Sequence, residues 1–413
     1  MNLLRFPKRW KSKVIHHLSS TEHSSRSRIS GRRPGERRFP IIAAEDTSRQ
    51  ILKRLLIAFV LAVLVGGCHR RLPTPATGNF TDQELQQFAA LDPIDAHTHV
   101  FADNAEFYPM LSKLHMHVLD ILVVDDTNAS RNSLSKETEE AWELVDKSNG
   151  HVAVCTTFDP YEFNQAGFAQ STIRQINREF DKGAVAVKIW KNIGMEIKDT
   201  TGQYLLPDAP VFEPIYRDIA AHNKTLITHL ADPNSAWEPP NHDPFASQYF
   251  KNNPQWYMYG RPHPASKERI LKARDHILEE NPSLRVVGAH LGSMEDDFKQ
   301  LGQHLDRYPN FAVDLAGRIP RIMLQPRPQM IAFIARYQDR LIYGTDLEIG
   351  FGETGVSETG AKWEDTYARD WRFLATDDVL QVRGHAVQGL ALPQSILRKL
   401  YHENALHWFP VMR

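Results

Sequence analysis

The sequence predicts an α/β protein built as a parallel (β/α)8 barrel, with a disordered basic segment and an export or anchor segment ahead of it. Three observations carry this. Eight short β-rich runs follow one another along the chain, helical patterns separate most of them, and protonatable side chains gather where the runs end. Parallel strands covered on both faces read as apolar runs, and a strand–helix alternation repeated this often closes into a barrel. An open doubly wound sheet is the runner-up. No Gly-x-Gly-x-x-Gly turn follows the first run and no Walker-type loop is present, so nucleotide binding has no support.

The runs are Pro93–Val100, Val118–Val124, Val152–Phe158, Ala184–Trp190, Thr225–His229, Arg285–His290, Phe311–Leu315 and Leu341–Thr345. Helical periodicity fills Lys136–Lys147, Gln170–Lys182, Val211–Asn223, Ser266–Asn281, Asp296–Tyr308 and Arg327–Arg340. These elements make one folded domain over residues 81–413. With 42% hydrophobic and 24% charged residues the composition is globular, and a net charge of −1 gives no electrostatic case for a nucleic-acid partner. Two cysteines, Cys68 and Cys155, exclude a disulfide framework.

Residues 1–50 are rich in Lys, Arg and Ser without apolar periodicity, which predicts disorder; a basic nucleic-acid arm and a misassigned translation start are the alternatives. Residues 51–68 place Lys53 and Arg54 before the apolar run Leu55–Val65 and end in Gly66-Gly67-Cys68. That is the layout of a secretory signal, and Cys68 after two glycines resembles the lipobox of bacterial lipoproteins, where the cysteine is lipidated. A lone anchor helix is the other reading. Either one puts the domain across the inner membrane, tethered by residues 69–80 with Pro73, Pro75 and Gly78.

Active sites of parallel barrels lie at the C-terminal ends of the strands. Run one ends in His97 and His99, run four carries Lys188, run five ends in His229, run six in His290, and Asp346 follows run eight. Histidines two residues apart on a strand share a face and can hold one metal. Imidazole and carboxylate donors suit zinc, manganese or iron, and a metal-bound water with a lowered pKa is a nucleophile. Each residue also has a plainer reading: His290 as a core histidine, Asp346 as a cap. The pair His115-Met116-His117 has the same spacing, but it precedes run two and is expected to be structural at the opposite face.

These residues bring out a resemblance. The stretches Ile94–Val100, Ala184–Met195, Leu226–Pro233, Val286–Ser293, Asn310–Arg318 and Leu341–Asp346, with the ending Leu397–Phe409, are similar to the amidohydrolase superfamily, in its amidohydrolase-related branch, which also contains decarboxylases. The resemblance implies that His97, His99, His229 and Asp346 are metal ligands, with Asp346 doubling as base. It implies that His290 binds a second metal or polarises a carbonyl. Lys188 matches a position that is carboxylated and bridges two metals in binuclear members; binding a substrate carboxylate or a structural role are the alternatives, and Lys191 is a neighbour able to take its place. One or two divalent ions, zinc first, are expected.

The long stretch Leu230–Pro264 and the loop 347–370, with Glu348 and Arg369, are expected to shape a pocket. Trp237, Trp256, Tyr257 and Tyr259 wall it or pack the loop on itself. Trp190 and Arg318 are the expected substrate contacts, Arg318 as an anion clamp or as a helix-start ion pair. The leading expectation is hydrolysis of an amide, ester or lactone of a small molecule. Non-oxidative decarboxylation of an aromatic or conjugated acid is the second reading, and a catalytically inactive binding lipoprotein the third. Homo-oligomerisation stays open.

Overall fold

The computed structural model describes residues 78–413, except 104–105, 126–127, 241–242, 244–246, 350–355, 411 and 413. The basic segment 1–50, the segment 51–68 with Cys68, and nearly all of the tether lie outside the described residues.

Nine parallel strands form one sheet. They are β1 (Ile94–Val100), β2 (His117–Ile121), β3 (Val152–Thr157), β4 (Ala186–Ile189), β5 (Thr225–Thr228), β6 (Arg285–Gly288), β7 (Phe311–Asp314), β8 (Leu341–Ile342) and β9 (Leu347–Ile349). Their order is β8-β7-β6-β5-β4-β3-β2-β1-β9. The two ends of this order are consecutive in the chain. The backbone between β8 and β9 bonds to β1, from Ala96 N to Tyr343 O at 3.0 Å and from Asp346 N to His97 O at 2.8 Å. The sheet therefore meets itself along a seam at β1. Expectation and structure differ here: the eighth run, expected to reach Thr345, breaks after Ile342 and resumes as β9.

Side chains alternate across each strand and so sort into two cores. Leu119, Ala186, Ile227, Val287, Ala312 and Ile342 join Trp408, Phe409 and Met412 of the C-terminal segment in the smaller one. Their neighbours Val118, Val187, Leu226, Val286, Val313 and Leu341 pack in the larger one against helix residues such as Ile176, Ile215 and Ile277. The smaller core is the barrel interior, stoppered by the end of the chain. β1 breaks the alternation. Asp95 pairs with Val118 but Thr98 with Asp120, so β1 holds one extra residue between them, a bulge that re-aims the side chains after it.

The outer helices include Asn128–Lys147, Phe168–Lys182, Glu213–Ala221, Lys267–Glu280, Phe298–Arg307 and Arg327–Tyr337. Ser266 and Asp297 cap two of these by accepting backbone N–H groups of the first turn. Several elements were not foreseen, among them short helices at Asp82–Ala89 and Phe107–Leu114. A helix, Val356–Ala375, stands where a loop was expected, and β10 (Val379–Val382) pairs antiparallel with β11 (His385–Gln388). Among the described residues no helix is long and apolar enough to cross a membrane.

Candidate active site

The centre is set by where imidazole rings are held from behind. His97 Nδ1 lies 2.8 Å from Asp314 Oδ2, His99 Nδ1 2.6 Å from Ile121 O, and His290 Nδ1 2.8 Å from Ala316 O. Each partner is an acceptor, so each Nδ1 carries the proton and donates. In the neutral rings every Nε2 is then a bare lone pair. That is the tautomer a metal needs, fixed by groups outside the ligand shell. His97 Nε2 and His99 Nε2 lie 3.5 and 3.6 Å from Asp346 Oδ1, and these three residues offer donor atoms within 4.8 Å of one another. A second grouping, His97, His290 and Asp314, is the supporting hydrogen-bond set and not a separate donor set.

His229 follows β5, with its ring 4.3 Å from that of His290. Its Nε2 is buried and has no hydrogen-bond partner among the described residues. An orphaned buried nitrogen is costly unless something binds it; among the described residues the donor atoms of His97, His99 and Asp346 are grouped to fit a divalent ion, and His229 stands outside that grouping, against His290.

Backbone strain marks the same place. His290 and Leu291 after β6, and Asp346 after β8, hold left-handed conformations at φ 57°, 59° and 64°. Non-glycine residues there cost about 1–3 kcal/mol each and persist where surrounding structure over-determines them. Gly344 completes the approach: a Cβ at that position would lie 3.0 Å from His97 Cβ, tighter than ordinary contact.

The electrostatics follow from burial. Burial pushes His290 down to about 3, with Arg318 and His97 adding to the effect. Burial and the charges of His290 and Lys191 hold His229 well below the usual histidine value. Burial works against ionisation of Asp346, yet the fields of His290, His97 and His99 outweigh it and keep this carboxyl far below its ordinary range. Its side chain is 35% exposed, so this carboxylate is open to solvent. Lys188 is fully buried on β4, with Nζ 3.1 Å from His97 Nε2; burial lowers its pKa against the pull of Asp314.

The outer wall carries the expected substrate contacts. Arg318 Nε bonds the buried Glu295 at 3.1 Å, and its Nη1 donates to Gly317 O. Its Nη2 makes no hydrogen bond among the described residues, and the cation lies in the field of Asp346 and Asp232. The ion pair and a spare donor therefore coexist. The Trp190 ring packs edge-on to His229 at 6.3 Å and to Trp256 at 4.9 Å. Glu348 on β9 is close enough to feel His99 and Asp346. Of the other loop residues, Trp237 donates to Ala265 O and Tyr257 to Glu238 O, packing the loop on itself, while Arg369 pairs with the adjacent Asp370.

The profile of the amidohydrolase family matches residues 94–411. The chain belongs to that family. No curated protein matches the chain significantly. Solved structures similar to this amidohydrolase include a 2,6-dihydroxybenzoate decarboxylase from Rhizobium, at 12% identity, covering 77% of this chain and 98% of that one, with a TM-score of 0.45. A 5-carboxyvanillate decarboxylase from Novosphingobium aromaticivorans, complexed with manganese, is 13% identical over 81% and 99%, with a TM-score of 0.48. An amidohydrolase II is 15% identical over 77% and 99%, with a TM-score of 0.45. At such identities and scores these likenesses assign neither substrate nor reaction.

The amidohydrolase centre thus brings together His97, His99, Lys188, His229, His290 and Asp346, with Trp190 and Arg318 on its wall. Two carboxylates that sequence reasoning passed over support it. Asp314 ends β7 and also accepts from His290 N at 2.7 Å and Ala316 N at 3.1 Å. Asp95 accepts from His97 N, Thr345 N, Thr345 Oγ1 and Tyr367 Oη, and burial pushes it up to about 7. Asp314 had a signal: it ends a strand just as the histidines do.

Proposed function

We propose that this amidohydrolase is a metal-dependent enzyme acting on a small carboxylic acid, and that its reaction is non-oxidative decarboxylation of an aromatic or conjugated acid. The observation carrying this reading, ahead of the hydrolysis that the sequence favours, is the pairing of Arg318 with His290. Arg318 offers a free Nη2 in the field of Asp346, a donor suited to a carboxylate. His290 donates through Nδ1 to Ala316 O and is neutral at pH 7, so its Nε2 has no proton with which to polarise a carbonyl. A carboxylate holder serves a decarboxylase directly, whereas a carbonyl-polarising donor serves a hydrolase.

His97, His99 and Asp346, with His229 beside them, would hold a divalent ion, zinc first for such donors, which would supply Lewis acidity when bound. Lys188, 3.1 Å from His97 Nε2, is then a neutral amine or its carbamate, because an ammonium there repels a cation. Arg318 orients the carboxylate, and Trp190 stacks an unsaturated skeleton. The carbon–carboxylate bond breaks, carbon dioxide leaves, and the electron pair stays on carbon and takes a proton. Asp346, open to solvent, passes that proton from water.

Incubation of the metal-loaded protein with aromatic and conjugated acids in D2O tests this. Carbon dioxide release with one deuteron at the vacated carbon is expected. Hydrolysis is the second reading, favoured by Asp346 as an ionised, accessible base. Products carrying ¹⁸O from water without carbon dioxide would establish it and defeat decarboxylation. Two equivalents of metal, with one lost in Lys188→Ala, mark a carboxylated bridge; one equivalent marks a mononuclear centre.

The export pattern of residues 51–68 supports a lipid-anchored location across the inner membrane. Labelled palmitate is expected to enter the wild type and not Cys68→Ser; equal labelling refutes the anchor.

A further inference from the structure

Beside His229 lies a lysine whose every donor is accounted for. Lys191 Nζ is 2.9 Å from both carboxylate oxygens of Asp232 and 2.5 Å from Tyr249 Oη. An ammonium has three N–H groups, and these partners use all three. Aromatic rings enclose it: Tyr249 and Trp256 at 4.8 Å and Trp190 at 5.6 Å from ring centre to Nζ. The pair touches the centre, since Asp232 Oδ1 lies 3.6 Å from His229 Nε2 and the Trp190 ring meets the His229 ring.

We infer that Lys191, with Trp190 and Trp256, forms a second anion subsite of this centre, for an anionic oxygen of a planar unsaturated acid, and that the Tyr249 hydroxyl occupies it in this structure. The inference rests on reading the substrate as a carboxylic acid. Its members are not equally fixed. Lys191, Asp232 and Trp256 are almost wholly buried, whereas Tyr249 is 39% exposed. Tyr249 is the partner that can leave without uncovering the rest. Asp232 neutralises the buried cation and uses two of its donors, which leaves one N–H requiring an oxygen inside an aromatic wall. A phenol oxygen satisfies that donor. A carboxylate satisfies it better, because it adds the attraction of opposite charges to the hydrogen bond that the phenol oxygen already accepts. A flat skeleton also suits the ring faces of Trp190 and Trp256, where aromatic pairs gain beyond area alone. Arg318, whose charge reaches Lys191, supplies a second cation on the same side. The competing account is that the cage merely pins the stretch 230–264 to the barrel.

The two accounts give opposite results with benzoate as probe and benzamide as its uncharged control. Binding to the full-length, metal-loaded protein in detergent is followed by tryptophan fluorescence, which Trp190 and Trp256 report. Tyr249→Phe and Tyr249→Ala are expected to bind benzoate about tenfold tighter than wild type, the size of one hydrogen bond to a charged group. Lys191→Met is expected to weaken benzoate about tenfold and leave benzamide unchanged. Unchanged or weaker benzoate binding in both Tyr249 variants, equal loss of both probes in Lys191→Met, or no benzoate binding by any variant overturns the inference. Repeating the titration after chelation separates it from the reading of the metal centre. Persistence of the Tyr249 effect supports the subsite, and its disappearance assigns benzoate to the metal.

Discussion

The chain contains two His-x-His pairs, and the barrel treats them oppositely. His97 lies in the bulge of β1 and His99 just after it, each with Nδ1 held from behind and Nε2 turned toward Asp346. His115 caps a helix in a left-handed conformation, and His117 opens β2 with Nδ1 3.2 Å from Gly150 O and Nε2 3.2 Å from Asp92 Oδ1. Both nitrogens of His117 are therefore spent. Identical spacing yields a donor pair at one end of the barrel and a structural pair at the other. The difference lies in strand polarity and in which nitrogen the surroundings consume.

The sharpest way to break this comparison is to exchange the fates of the pairs. His97→Ala with His99→Ala is expected to abolish metal binding and to cost about a thousandfold or more in activity, since a metal contributes several kcal/mol at about 1.4 kcal/mol per decade. The same double change at His115 and His117 is expected to leave metal content at the wild-type level. Metal analysis of both proteins decides; loss of metal from the second would make the lower pair a site.

A smaller effect is expected from Asp314→Asn. It keeps the shape but exchanges an acceptor that fixes the tautomer of His97 for a group able to donate. A fall of about 10–100-fold in metal affinity is the expected size for such support. Asp92→Asn beside His117 should leave affinity unchanged. Equal effects would mean that Asp314 acts only on stability.

The smallest effect concerns pH. In chelated protein, His290 has a folded value of about 3 and His97 and His229 are also lowered, against about 6.5 unfolded. The unfolded chain then binds more protons below pH 6.5. Stability is complete above that value and declines as pH falls toward 3. Thermal denaturation of the apo protein is expected to drop by about 5 °C or more between pH 7 and pH 5, with a flatter profile for His290→Gln. An unchanged slope in that variant would remove His290 from the account.

Much of this was legible because two physical regularities act locally. Alternating apolar runs mark buried strands, and barrel chemistry sits where they end, so His97, His99, Lys188, His229, His290 and Asp346 could be placed together from the sequence. What escaped depends on contacts between distant segments. Asp232 meets Lys191 across 41 residues and Asp95 meets Thr345 across 250, and no local pattern announces either. Asp314 was readable by the same rule as the histidines but resembles an ordinary strand-end acid. The helix Val356–Ala375 was masked by glycines at 350, 352, 355 and 360, which locally favour turns. The split of β8 from β9 shows only once Asp346 is seen in its left-handed conformation between them.

That interruption has a consequence for how the molecule comes into being. The hydrogen bond from Asp346 N to His97 O is both part of the seam and the link that sets the last donor against the first. Assembly of the ring and assembly of the centre are one event. Long-range parallel pairing is slow, because the entropy of closing so large a loop must be overcome before the contact repays it. A nascent chain therefore presents His97 and His99 long before Asp346 arrives, and acquires its full donor set only as the final strands dock. Catalytic competence in this protein is a late reporter of complete folding.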